Sequence, residues 1–117
     1  MKNSMFDSLR DDITRFARER DWEQFHSPKN LAIGVSIEAS EILEHFTWLS
    51  DEESTNLSRE EREAVRLELA DVFIYLIRLA DTLNVDLLEA ARDKLIANAK
   101  KYPVEKAKGS AVKYDKL

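Results

Sequence analysis

Four acidic side chains stand out by spacing: Glu38 and Glu41, three residues apart, and Glu68 and Asp71, three apart further along. On a helix, residues three apart are neighbours on one face. Each pair also lies beside an apolar stripe. At about 100° per residue, Glu38 falls roughly 50° from the centre of the Leu31, Val35, Ile42, Phe46 stripe. Glu68 sits similarly beside Val65, Val72 and Leu79, while Glu41 and Asp71 lie farther round the flanks. Two antiparallel helices packed through these stripes would bring four carboxylates into a half-buried groove. Like charges at that range repel, and desolvation adds several kcal/mol for each unpaired ion. A cation removes the conflict. An all-oxygen ligand set favours a hard ion, Mg²⁺ or Mn²⁺. The same spacing on a solvated helix face would have no metal, so the pairs alone leave a non-catalytic helical interaction module open.

Other residues could complete such a site. Asp21 to His26 places Trp22, Phe25 and His26 in a short stretch that breaks helical periodicity. Trp48 falls near Glu41 on a helical wheel, and Tyr75 is one turn beyond Asp71. Rings so placed could sandwich a flat base, since base–aromatic stacking contributes about 1–3 kcal/mol per base. Trp22 and Phe25 could equally plug an open bundle end. Asn98, Lys100, Lys101 and Tyr102 form a polar, basic helix end, where cations also complement the helix dipole. Lys29 is a further candidate for a phosphate contact. A di-iron bundle needs Glu-x-x-His motifs. None is present: His45 is four from Glu41 and one from Glu44.

The elements that must hold these residues are helices. Gly and Pro number two each, too few for the turns of an all-β fold. The first helix is predicted from about Ser4 to Arg20, with Phe6, Leu9, Ile13, Phe16 and Ala17 as its stripe. Ser27-Pro28 starts a second, to about Leu49. Asp51 to Asn56 reads as a loop. Ser58 with Glu61 has capping-box spacing and opens a third helix, to about Leu83, with Asn84 ending it. Asp86 with Glu89 opens a fourth, to about Lys101, and Pro103 stops it. The tail from Val104 to Leu117 has no clear period. On the third helix Val65, Leu69, Val72, Leu76, Leu79 and Leu83 form one stripe, and Leu67, Ile74 and Ile77 lie on another side. A helix apolar on two sides must bury both, which predicts a homo-oligomer.

The 117 residues suit one all-α domain, a four-helix bundle with a short tail. Hydrophobic residues at 44% and charged residues at 35% describe a folded, water-soluble chain. With no Cys, disulfides and thiolate metal sites are excluded. The net charge of −5 disfavours a nucleic-acid polymer as partner. No apolar run reaches a membrane span and the N-terminus lacks a signal-peptide core, so a cytoplasmic protein is expected.

Taken together, the chain resembles the MazG-like all-α nucleoside triphosphate pyrophosphohydrolases, and within them the dCTP pyrophosphatase branch. The carriers are Glu19 to His26 with Pro28-Lys29-Asn30-Leu31, Glu38-x-x-Glu41, Phe46-Thr47-Trp48, Glu68-x-x-Asp71-Val72 with Tyr75-Leu76, and Lys101-Tyr102-Pro103-Val104. Gly109 and Lys113-Tyr114 match the tail. The resemblance implies hydrolysis of a triphosphate between the α and β phosphates, with Glu38, Glu41, Glu68 and Asp71 holding Mg²⁺. It implies a nucleoside pocket from Trp22, Gln24, Phe25, His26, Trp48 and Tyr75, with Asn98 and Lys101 near the phosphates and Tyr102 beside them. It implies a dimer or tetramer. Two positions depart from the pattern. Many relatives carry a Glu immediately before the first site Glu, where this chain has Ile37; the base is then Glu38, Glu41 or a metal-bound hydroxide. Ile13 stands where the branch tends to place a pocket His.

Overall fold

The computed structural model describes residues 4–117, and everything below concerns those residues. Residues 1–3, part of the N-terminal stretch discussed above, lie outside them. The described fold is all-helical: α1 (Ser4–Glu19), α2 (Pro28–Phe46), α3 (Asp51–Ser54), α4 (Arg59–Thr82), α5 (Leu87–Lys101) and α6 (Val104–Ala107), with 3₁₀ turns at Glu23–Phe25 and Tyr114–Lys116. No described helix is long and apolar enough to cross a membrane.

The caps explain the boundaries. Ser27 Oγ accepts from the Asn30 N–H at 3.1 Å, with Pro28 opening α2. Ser58 and Glu61 bond reciprocally at the start of α4, and Asp86 accepts from the Glu89 N–H at the start of α5. Asn84 takes φ 55° after α4, a left-handed conformation that Asn tolerates and that stops a helix. Three elements differ from expectation. α2 ends at Phe46 rather than Leu49. The stretch read as a loop contains α3, because Ser50 and Glu53 make a second full capping box. The tail contains α6, which Pro103 precedes as N-cap, so the proline both ends α5 and starts the next turn.

The chain forms two compact units, one up to Asn84 and one from Val85 to Leu117. In the first, α4 packs mainly along α2 and more lightly against α1. Leu31 of α2 and Ile77 of α4 are fully buried, and Ala17, Val65 and Ala80 are buried as well. Burying a side chain the size of Leu or Ile contributes about 1.5–3 kcal/mol. The faces of α4 are not divided as the stripes suggested. Ile77 turns inward, whereas Leu69 and Leu83 are more than half exposed. The α1 contact accounts for this: Phe73 meets Phe6 edge-on at 6.2 Å, and Asp81 accepts from Thr14 at 3.1 Å, which draws the intervening Ile77 into the core.

Gly34 records how closely α2 and α4 approach. A Cβ there would stand 2.7 Å from Cδ1 and 3.1 Å from Cζ of Tyr75. A mid-helix Gly is worse than Ala by about 1 kcal/mol, yet overpacking a tight contact costs about 1–3 kcal/mol. Gly34→Ala is therefore expected to lower the melting temperature. In a Tyr75→Ala background the same change should raise it, because the added methyl fills vacated space. Equal effects in both backgrounds would rule out the Tyr75 contact as the reason for the glycine.

Candidate active site

The α2–α4 contact sets the acids against one another. One carboxylate oxygen from each of Glu38, Glu41 and Glu68 lies within 4.8 Å of the other two. All three residues are half-buried. Oε2 of Glu38 and Oε2 of Glu68 are shut off from solvent and have no hydrogen-bond partner. A buried polar atom without a partner is costly, and three carboxylates at this range cannot all stay ionised without help.

The proton affinities follow. Burial raises the pKa of Glu38 first, then the proton it can share with Glu41, then the charges of Glu41, Asp71 and Glu68. For Glu68 the shared proton with Glu41 dominates, followed by burial and the charges of Glu41 and Asp71, while His45 opposes the rise. Glu41 is thus the common neighbour, the residue that acts on both Glu38 and Glu68. The spacing argument had put it farther from the centre.

Asp71 is placed differently from the four-acid expectation. It is exposed and outside the set of mutually close oxygens, although its charge is felt by both Glu38 and Glu68. His45, which completes no Glu-x-x-His motif, stands close enough to Glu68 to oppose its proton uptake.

The donor set suits a hard divalent cation: carboxylate oxygens only, with Glu38 and Glu68 each also carrying a shielded oxygen that has no partner. A cation there would neutralise the charge that these three carboxylates bring together.

The aromatic segment is held on the same unit. Trp22 meets Phe16 edge-on at 5.7 Å and His26 at 6.4 Å, and its indole is 43% exposed. Gln24 is occupied locally, its amide donating to the Asp21 carbonyl and carboxylate at 3.0 and 3.1 Å. The Phe25 carbonyl accepts from the Asn30 side chain at 3.0 Å, fixing the segment to the first turn of α2, where Lys29 is exposed. His26 Nδ1 accepts from Arg78 Nε at 3.2 Å.

Tyr75 lies two turns from Glu68 on the same face of α4, its ring on Gly34. Trp48 does not follow the helical wheel, because α2 ends at Phe46; its ring is 91% exposed. Asn98, Lys101 and Tyr102 belong to the second unit. There Lys101 Nζ stands 4.8 Å over the Tyr114 ring and Tyr102 meets that ring edge-on at 6.0 Å. The Arg78, Asp81 and Thr14 network had no signal in the sequence, since its members come from helices far apart along the chain.

Comparison with known proteins agrees with this arrangement. Residues 33–117 match the MazG-like family. The chain is 46% identical to dCTP pyrophosphatase 1 of Bos taurus over 104 residues, covering 87% of this chain and 62% of that protein. It is 44% identical to the Homo sapiens protein of the same name over 104 residues, 87% of this chain and 61% of the other. It therefore spans about three fifths of the length of these relatives. Among solved structures, a pyrophosphatase from Archaeoglobus fulgidus superposes with a TM-score of 0.81 at 38% identity, over 88% of this chain and 95% of the other. The helical frame, the facing glutamates and the matched sequence have one reading: this chain belongs to the MazG-like family.

Proposed function

We propose that the protein is a Mg²⁺-dependent nucleoside triphosphate pyrophosphohydrolase. It converts a deoxynucleoside triphosphate, dCTP or a modified dCTP, to the monophosphate and pyrophosphate, and so cleans the nucleotide pool. The observation that carries this reading is the set of three glutamate oxygens within 4.8 Å, two of those residues having a shielded, unpartnered oxygen. The names of the dCTP pyrophosphatase relatives and of the archaeal pyrophosphatase support it.

Glu38, Glu41 and Glu68 would hold the ion, with Asp71 adding charge at the rim. Mn²⁺ satisfies the same oxygen set. A bound divalent ion neutralises phosphate charge and lowers the pKa of a coordinated water. Glu38 or Glu41 would take the proton of the attacking water, unless a metal-bound hydroxide is itself the nucleophile. Trp22 and His26 receive the base with Phe25, Tyr75 and Trp48, while Lys29 serves the phosphates. The protein acts as a cytoplasmic homodimer or homotetramer. Exposed Ile33, Ile37 and Leu43 on α2 and Leu67, Phe73 and Ile74 on α4 favour such an assembly.

The test is incubation with canonical and modified triphosphates plus Mg²⁺, assayed for pyrophosphate and monophosphate. Pyrophosphate release that chelation abolishes is expected, with cytidine substrates preferred. Triphosphate binding without pyrophosphate would replace the enzyme with a nucleotide sensor. Neither binding nor release would leave a helical interaction module.

A further inference from the structure

Arg78 is the one described charged residue that the fold buries, at 8% exposure. A buried guanidinium needs partners, and this one has two. Its Nη1 stands 3.8 Å from Asp81 Oδ2, which also accepts from Thr14 of α1 at 3.1 Å. Its Nε donates to His26 Nδ1 at 3.2 Å. The first contact neutralises the charge. The second has a chemical consequence, because an arginine N–H can only donate. The nitrogen it faces must be unprotonated, so a neutral His26 carries its proton on Nε2. Burial first, then Arg78, lower the His26 pKa against the opposing pull of Glu23, which favours that neutral form. Nε2 has no hydrogen-bond partner among the described residues, and the ring stands beside the accessible Trp22 indole.

We propose that Arg78 is a positioning residue that fixes His26 as a one-way hydrogen-bond donor beside Trp22, selecting nucleotides whose base offers a carbonyl oxygen there. The proposal rests on the pyrophosphohydrolase reading for its ligand, while the Arg78–His26 geometry stands apart from it. Lysine could not substitute, because it carries a flexible point charge rather than a planar N–H fork. A purely structural role for Arg78 would tie α1, α4 and the aromatic segment together but would not set which nitrogen holds the proton.

The test uses full-length protein with ¹⁵N-labelled histidine and long-range ¹H–¹⁵N spectra at neutral pH. The chain has only two His, so His26→Asn assigns the signals. Wild-type protein should show the proton on Nε2. Arg78→Met should release His26 to a mixture of tautomers, and Arg78→Lys should do the same if the methionine variant does not fold. With dCTP and Mg²⁺, KM should rise about tenfold in Arg78→Met, as for loss of one oriented hydrogen bond, with a smaller change in kcat. In a His26→Asn background Arg78→Met should add nothing further. A wild-type proton on Nδ1, additive losses, or an unchanged KM despite mixed tautomers would overturn the proposal. Wild-type protein that releases no pyrophosphate would instead overturn the activity, and with it the ligand assigned to His26, while the nitrogen signals still decide whether Arg78 sets the tautomer.

Discussion

Glu38→Gln is expected to raise the metal-free melting temperature while lowering triphosphate turnover by about 100-fold or more. The two effects have opposite signs for one reason. Glu38 is half-buried against Glu41 and Glu68, with an oxygen that has no partner. Without a cation its charge is a cost, which the neutral amide removes with almost no change of shape. In the proposed reaction that charge would bind the ion or take the proton. Asp71→Asn should also lower turnover but leave the metal-free melting temperature nearly unchanged, since Asp71 is exposed. Glu44→Gln, exposed on the same helix, is the control and should change neither. Melting by circular dichroism and pyrophosphate release on the same preparations check all three variants. Wild-type turnover in Glu38→Gln would remove it from the site. Lost turnover with a lower melting temperature would make Glu38 a structural residue instead.

The contrast between Glu38 and Asp71 marks how far the sequence could be read. Helix starts were legible because caps are local: Ser27-Pro28, Ser58 with Glu61, and Asp86 each act within one turn. Ser50 with Glu53 carries the same capping-box spacing, and it overrides the loop that the polar composition of Asp51 to Asn56 suggests. The acid pairs were legible as neighbours on a face, which needs only the helical period. How deeply each acid enters the groove was not, because depth depends on the angle at which α2 meets α4. That angle is set by contacts such as Tyr75 on Gly34 and Phe73 on Phe6, which join distant positions. Ile77 and Leu69 exchanged their expected roles for the same reason. Trp48 illustrates a different limit: a wheel projection holds only while the helix lasts, and α2 stops two residues earlier. Arg78 and His26, 52 residues apart, form a pair that no periodicity encodes.

The second large effect is stabilisation by the ion itself, and its pH dependence follows from the same carboxylates. In metal-free protein the pKa values of Glu38 and Glu68 are raised, so the folded state holds protons that the unfolded chain has released. Stability then falls as pH rises through the ordinary glutamate range and on through the raised folded values. The contribution is intact below that window and lost above it. A divalent ion replaces those protons, so its benefit should be small where the carboxyls are protonated and full where they are not. At a hundredfold excess over its dissociation constant, binding adds about 2.7 kcal/mol, which is roughly 10 °C for a chain of this size. Mg²⁺ is therefore expected to raise the melting temperature by about that amount at pH 8 and far less at pH 5, with Na⁺ at equal ionic strength doing neither. Scanning fluorimetry across pH, with and without chelator, reads this directly, and Glu38→Gln should flatten the dependence. An ion effect equal at both pH values, or unchanged in that variant, would place the ion away from Glu38, Glu41 and Glu68. The facing helices would then bring acids together without a cation to answer their repulsion, and the proposed chemistry would lose its centre.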